Sequence, residues 1–142
     1  MLVAEILKDK GGAVFTIAPT VTMAQACGEL KARRVGALIV CDGDKVVGIL
    51  SERDVVRAIS KDAHDSLSRE VAVYMTNEVI FADLSETVAV LMGRMTENRI
   101  RHLPVLTDGR LTGVISIGDV VKCQIAEATH EAEQLRTYIA AG

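Results

Sequence analysis

Apolar residues along this chain follow two rhythms, and the pair of rhythms is written twice. Short β-branched runs read as strands, and apolar residues spaced three and four apart read as helices. In the first pass, residues 14–17 are strand-like and Pro19-Thr20 breaks them. Thr22 then predicts a helix N-cap, with the helix running through Arg33 on Met23, Ala26, Cys27 and Leu30. Residues 37–41 and 45–50 predict two strands joined at Asp42-Gly43-Asp44, a hairpin signal. Ser51 opens a further helix toward Ser60. In the second pass, residues 79–81 are extended and Leu91, Met92 and Met95 mark a helix. Residues 102–106 and 111–116 pair across Asp108-Gly109, and a last helix opens at Ser116. The polar stretch 62–69 reads as the linker between the passes. The expectation is an α/β (α+β) fold of two β-α-β-β-α repeats.

The duplication extends to individual residues. Residues 36–56, GALIVCDGDKVVGILSERDVV, align without a gap on residues 101–121, RHLPVLTDGRLTGVISIGDVV, at a constant offset of 65. Leu38, Val40, Gly48, Ser51, Asp54, Val55 and Val56 recur as Leu103, Val105, Gly113, Ser116, Asp119, Val120 and Val121. Upstream, Thr22, Ala24, Gly28 and Arg34 recur as Thr87, Ala89, Gly93 and Arg99. A repeat serving only the core would keep apolar positions. This one also keeps a glycine, a serine and an aspartate, the material of a small-molecule site.

The last helix continues past the repeat. Residues 124–141 contain no Pro or internal Gly and are rich in Ala, Glu and Gln. Ile125, Ala128, Ala132, Leu135 and Ile139 form a stripe of about two heptads, which packs either on its own domain or on a second subunit. Two heptads are too short to hold a free coiled coil, so a partner helix would assist a larger interface. The organisation expected is an N-terminal helix or linker at 1–13, repeats at 14–61 and 79–126, a linker at 62–78 and a C-terminal helix at 127–142.

Composition narrows the function. The chain has 142 residues, 49% hydrophobic and 25% charged, which describes a globular protein. Aromatics are 3%, too few for a base-stacking surface, and the net charge of −3 argues against nucleic acid as partner. No apolar run approaches the ~20 residues of a membrane span, and the N-terminus reads as neither a secretory nor a transit signal, so a cytoplasmic location is expected. Cys27, Cys41 and Cys123 lie far apart with no ligand spacing, so no metal is predicted and buried thiols are the expectation.

The repeated motif is G-h-h-S-x-x-D, with h apolar: GILSERD at 48–54 and GVISIGD at 113–119. One reading is a helix-capping box, in which the serine caps and the aspartate answers it. The other is a ligand site. A strand running straight into a helix presents free N–H groups and the positive end of the helix dipole to an anion. Arg53 sits in that first turn, where an acid is commoner, and suits bidentate grip of a phosphate. The aspartate could then accept from two ribose hydroxyls. Arg99, Arg101 and His102 form the densest basic cluster. It is either a solvated strand edge or a phosphate or carboxylate grip. His64 and His130 sit in polar surroundings and are read as exposed. No nucleophile elbow, zincin motif, P-loop or dinucleotide fingerprint occurs, so an enzyme is not expected.

On these motifs the chain resembles a pair of CBS domains, the tandem cystathionine-β-synthase-type repeats of a Bateman module, over roughly residues 14–126. It is most similar to small stand-alone bacterial pairs with SERD in the first repeat, and with ENRIRHLPV and GVISIGD in the second. The resemblance implies two pseudo-symmetric clefts between the halves. It implies adenosine-containing ligands: AMP above all, or ADP, ATP, NAD or S-adenosylmethionine. Carried over residue by residue, one site would use Thr16, Ile17, Ala37, Ser51, Arg53 and Asp54. The other would use Ile80, Phe81, Arg101, His102, Pro104, Ser116 and Asp119. The resemblance further implies a homodimer of pairs arranged as a disc, with higher order possible through the C-terminal helix, and regulation of an effector protein by energy state. Gly118 stands where the first repeat has Arg53, and Arg101-His102 where it has Gly36-Ala37, so two sites of unequal affinity are expected. The alternative is a constitutive assembly adaptor with vestigial clefts. A redox regulator acting through Cys41 or Cys123 is a third class.

Overall fold

The computed structural model describes residues 1–141, so Gly142, the last residue of the expected C-terminal helix, lies outside the description. The elements are α1 (Val3–Lys10), β1 (Thr16–Ile17), α2 (Met23–Arg33), β2 (Ala37–Asp42), β3 (Lys45–Ser51) and α3 (Glu52–Asp62), then a 3-10 helix (Ala63–Ser68), α4 (Val71–Tyr74), β4 (Ala82–Asp83), α5 (Val88–Asn98), β5 (His102–Thr107), β6 (Arg110–Ser116) and α6 (Ile117–Ala141). Two three-stranded sheets result, ordered β1-β2-β3 and β4-β5-β6. In each, the first strand runs parallel to the second and the second pairs antiparallel with the third. Both hairpins carry a register shift at the same place, between Val40 and Cys41 and between Val105 and Leu106.

Local chemistry explains most of these elements. Thr22 accepts from the Gln25 amide, and Gln25 answers with a side-chain bond to the Thr22 amide, a complete capping box at the start of α2. Thr87 caps α5 by accepting from the Val90 amide, one half of such a box, since valine has no side-chain group to answer. The β5–β6 turn places Asp108 at φ 51° and Gly109 at φ 77°, the positive pair that a tight primed turn needs and that Asp and Gly tolerate. The strands expected at 14–17 and 79–81 are shorter or displaced. Each first strand has only two ladder residues, because it touches β2 or β5 only at Ile39–Val40 or Val105–Leu106.

Two separate cores form, and each borrows a segment from outside its own repeat. The second core, around Leu91, Leu103, Val105 and Ile115, also contains Val3, Ile6 and Leu7 of α1. The first core, around Met23, Leu38, Val40 and Leu50, contains Val71 of α4, with Tyr74 and Met75 against it. The backbone bonds show the same exchange. Val3 N–H donates to Glu86 O and Val88 N–H to Met1 O, and correspondingly Val71 N–H donates to Val21 O and Met23 N–H to Arg69 O. The stretch 62–78, expected as a linker, therefore includes a helix that completes the first core.

The exchange accounts for the repeated glycine. A side chain on Gly48 would have its Cβ 2.6 Å from Met75 Sδ, and one on Gly113 would have it 2.6 Å from Leu7 Cδ2. Gly48 and Gly113 are glycines so that the borrowed segment can lie directly on the sheet. Their role is packing, not the ligand contact that the motif suggested.

Candidate ligand cleft

A cavity of about 510 Å³ opens between the halves. The start of α3 supplies Ser51, Arg53, Asp54 and Arg57; the extended chain before β4 supplies Thr76, Glu78 and Ile80; and the end of α5 and start of β5 supply Arg99, Arg101, His102 and Pro104. The helix start of one repeat thus faces the strand entrance of the other.

The cavity draws its lining from both of the implied sites. Ser51, Arg53 and Asp54 come together with Ile80, Arg101, His102 and Pro104, which had been assigned to the other site. Thr16, Ile17 and Ala37 do not line this cavity, nor do Phe81, Ser116 and Asp119. The first motif stands opposite the second repeat's strand entrance rather than its own. Repeat alignment reveals equivalent residues but not which ones meet.

Asp54 is 4% exposed, and both oxygens of its carboxylate accept hydrogen bonds. Oδ2 accepts from the Ser51 amide at 2.9 Å and the Ser51 hydroxyl at 3.2 Å. Oδ1 accepts from the Thr76 hydroxyl at 3.2 Å, with the Arg57 guanidinium at 3.6 Å. The Asp54 amide returns a bond to Ser51 Oγ at 3.4 Å. The capping box is therefore real, with Asp in the role usually taken by Glu or Gln. It does not exhaust the site, since Oδ1 lies on the cavity side with Thr76 and Arg57. Thr76 and Arg57 went unnoticed in the sequence. Arg57 follows Arg53 by one helical turn, a spacing that places both on one face. Thr76 has no comparable signal, because it comes from the borrowed segment.

The cavity is cationic on balance, with Arg53, Arg57, Arg99 and Arg101 against Glu52, Asp54 and Glu78. Arg53 reaches across the gap and donates to Arg99 O at 2.8 Å. Arg99 is the left-handed cap of α5, at φ 53°, matching Arg34 at φ 55° on α2. His102 packs against Gly36, whose missing side chain leaves room for the ring. Burial pushes the His102 imidazole below its ordinary value, and Lys10 and Arg101 add to the shift while Glu52 and Asp119 oppose it. The shift favours the neutral ring, a hydrogen-bond partner rather than a cation.

The second motif repeats the box without the cavity's partners. The Ser116 amide donates to Asp119 Oδ2 at 2.8 Å, and the Asp119 amide donates to Ser116 Oγ at 3.2 Å. Lys10 Nζ also sits on Asp119 Oδ2, at 2.7 Å. Burial alone would raise the Asp119 carboxyl, but the Lys10 and Ser116 hydrogen bonds outweigh it and hold it below the ordinary value.

The three thiols are free, Cys123 buried and Cys27 and Cys41 half-buried. Burial pushes all three above the ordinary value, which lowers their reactivity. Among the described residues no cluster suited to a metal occurs, and no helix is long and apolar enough to cross a membrane.

Known proteins carry the same architecture. The chain is 34% identical to the mitochondrial CBS domain-containing protein CBSX3 of Arabidopsis thaliana, across 99% of this chain and 72% of that one. A crystal structure of a CBS-domain containing protein from Agrobacterium tumefaciens superposes with a TM-score of 0.86 at 42% identity, covering 87% of this chain and 99% of that one. A CBS domain protein from Pyrobaculum aerophilum, solved complexed with AMP, superposes with a TM-score of 0.74 at 26% identity, covering 84% and 89%. The sequence matches the CBS domain family over residues 3–61 and 69–126, and the first of these ranges begins at α1, the helix that completes the opposite core. Two repeats that exchange their leading helices and face one another across a cationic cleft, with that match, make this chain a member of the CBS domain family.

Proposed function

We propose that the chain is a non-catalytic regulatory module that binds an adenosine nucleotide in the Ser51–Asp54 cleft and signals by a change in the relative placement of its halves. AMP, ADP, ATP and NAD all belong to the class. The observation that carries the reading is the cleft's composition: a buried carboxylate and a helix start from one half, and two arginines and a histidine from the other. Asp54 suits a ribose diol, and the helix start with Arg53 and Arg57 suits phosphate. The four arginines favour an anionic nucleotide over a sulfonium ligand such as S-adenosylmethionine. The Pyrobaculum relative, complexed with AMP, supports the same class. Both oxygens of Asp54 are held by hydrogen bonds, which suits a fixed acceptor better than a catalytic base. Because the cleft walls come from both halves, a bridging ligand biases their arrangement by its differential affinity, typically ~1–3 kcal/mol.

A thermal-shift panel of AMP, ADP, ATP, NAD, NADH and S-adenosylmethionine tests this. Stabilisation should follow RT ln(1 + [L]/Kd) for the phosphorylated ligands and disappear in Asp54→Ala. A flat panel favours the second reading, an assembly adaptor. The complete capping boxes are the observation in its favour, since they give Ser51 and Asp54 a purely structural use.

The output of the module runs to a second copy of the chain. On α6, Ile125, Leu135 and Ile139 are 61%, 60% and 68% exposed, and every described residue from Ala128 on is exposed. A parallel pairing of two such helices would set Glu131 of one beside Arg136 of the other, whereas an antiparallel pairing about Ala132 sets Glu131 beside its own copy. Truncation after residue 124 should lower the assembly state on sizing; an unchanged state removes the stripe from the account.

A further inference from the structure

Beside the cavity of about 510 Å³ lies a smaller recess of about 260 Å³, and the two share Arg53, Arg99, Ile100 and Arg101 as a common wall. Met95 and Thr96 near the end of α5 and Ile117 at the start of α6 complete the recess. Charge is divided unevenly between the two spaces. Glu52, Asp54 and Glu78 line the cavity, whereas among the described residues no acid lines the recess, and its cations are Arg53, Arg99 and Arg101. Elsewhere Arg33, Arg57, Arg69 and Arg94 each sit against a carboxylate. Among the described residues Arg53, Arg99 and Arg101 have no such partner. Arg53 instead donates across the gap to Arg99 O at 2.8 Å. That bond holds its guanidinium at the junction of the two spaces and leaves it further N–H donors for an anion. Three guanidiniums gathered from the start of α3, the cap of α5 and the approach to β5 repel one another unless an anion lies among them.

We propose that the recess is an oligophosphate subsite: with the ribose on Asp54 and the first phosphate at the start of α3, the second and third phosphates of a nucleotide pass Arg53 and lie among Arg99 and Arg101. The protein therefore prefers nucleoside di- and triphosphates to a monophosphate. The inference rests on the reading of the first cleft as a nucleotide site, and adds to it the course of the phosphate tail. The opposite course is disfavoured, because Glu52, Asp54 and Glu78 line the cavity and repel each added negative charge. The recess bears no such acid and offers planar donors suited to bidentate contact with phosphate oxygens. Thr96 marks its wall without holding the ligand, since it is exposed and its hydroxyl already donates to Met92 O at 2.8 Å.

Calorimetric titration of the full chain with AMP, ADP and ATP, without divalent metal, tests it in wild type, Thr96→Glu and Thr96→Gln. In wild type ATP should bind about tenfold tighter than AMP, with ADP between them, and the advantage should shrink as salt is raised. Thr96→Glu sets a carboxylate one helical turn before Arg99, in reach of its guanidinium. It should abolish the advantage of ATP and leave AMP affinity unchanged, whereas Thr96→Gln should keep both. ATP binding no tighter than AMP in wild type overturns the proposal and leaves the first-cleft reading standing. An advantage that survives Thr96→Glu, or is lost equally in Thr96→Gln, does the same. If none of the three nucleotides binds, the first-cleft reading fails instead, and sodium tripolyphosphate judges the recess by itself. Its binding in wild type and loss in Thr96→Glu would uphold the oligophosphate subsite; no binding overturns it.

Discussion

The first and second halves carry the same motif on the same strand-to-helix junction, yet Asp54 and not Asp119 lines the cavity of about 510 Å³ between the halves. Ser51 and Asp54 share their capping box with Thr76, Arg57 and a wall of arginines from the opposite half. Ser116 and Asp119 make the same box, with Lys10 on the Oδ2 that also accepts from the Ser116 amide. The motif therefore builds the helix start in both halves. What distinguishes the two is the segment delivered from outside the repeat, which brings a hydroxyl to Asp54 and an ammonium to Asp119.

The borrowed segments are where the comparison breaks most violently. Deleting residues 1–10 removes Val3, Ile6 and Leu7 from the second core, although they precede the first repeat. At about 1.5–3 kcal/mol for each buried aliphatic side chain, the loss is about 5 kcal/mol or more, comparable with a domain's whole stability. Hydrogen exchange should find β5 and β6 deprotected while β2 and β3 keep their protection. Uniform loss in both sheets would mean that the two cores do not behave separately.

A smaller effect separates the two motifs. At 100 times Kd, AMP should stabilise wild type by about 2.7 kcal/mol. Asp54→Ala should abolish that increment, and Asp119→Ala should leave it nearly intact. Each variant also loses a capping bond, at roughly 0.5–2 kcal/mol, so the ligand-induced shift is the readout rather than the absolute Tm.

Gly48→Ala and Gly113→Ala should each cost about 1–3 kcal/mol through overpacking. They should diverge in binding. The new Cβ at position 48 also meets Thr76 O at 3.0 Å, so it displaces the residue that holds Asp54, while the three nearest atoms at position 113 all belong to Leu7. Nucleotide affinity should fall in Gly48→Ala and persist in Gly113→Ala.

The smallest effect is one of pH. The His102 imidazole is held below its ordinary value of 6.5 in the folded protein. The unfolded chain therefore takes up a proton first as pH falls, and stability declines below about 6.5 until the folded value is passed. Above 6.5 the group contributes no slope. Thermal melts between pH 7.5 and 5 should show that decline in wild type, and His102→Ala should flatten it. An identical slope in both proteins would assign the decline elsewhere.

How much of this was legible in the sequence depended on distance along the chain. Hairpins, helix starts and the α2 cap were readable because a few adjacent residues determine them; Thr22 with Gln25 and Asp108 with Gly109 need no tertiary context. The exchange of α1 and α4 was not, because the equivalent segments recur at a spacing of 68 rather than 65, so Val3-Ala4 and Val71-Ala72 fall out of register with the rest of the repeat. That lapse hid three things at once: the reason for Gly48 and Gly113, the presence of Thr76 in the cleft and the arrival of Lys10 at Asp119. The cross-pairing of site residues was hidden for a different reason. A repeat identifies which residues correspond, but only the folded chain sets the first motif against the second repeat's strand entrance.

The most direct test is a co-crystal with AMP. The account predicts a single nucleotide per chain in the cavity between the halves, its ribose on Asp54 and its phosphate at the start of α3 within reach of Arg53 and Arg57, with Lys10 still on Asp119. Density for the nucleotide at Ser116–Asp119 with the Ser51 cleft empty, or in neither place at millimolar AMP, would contradict it.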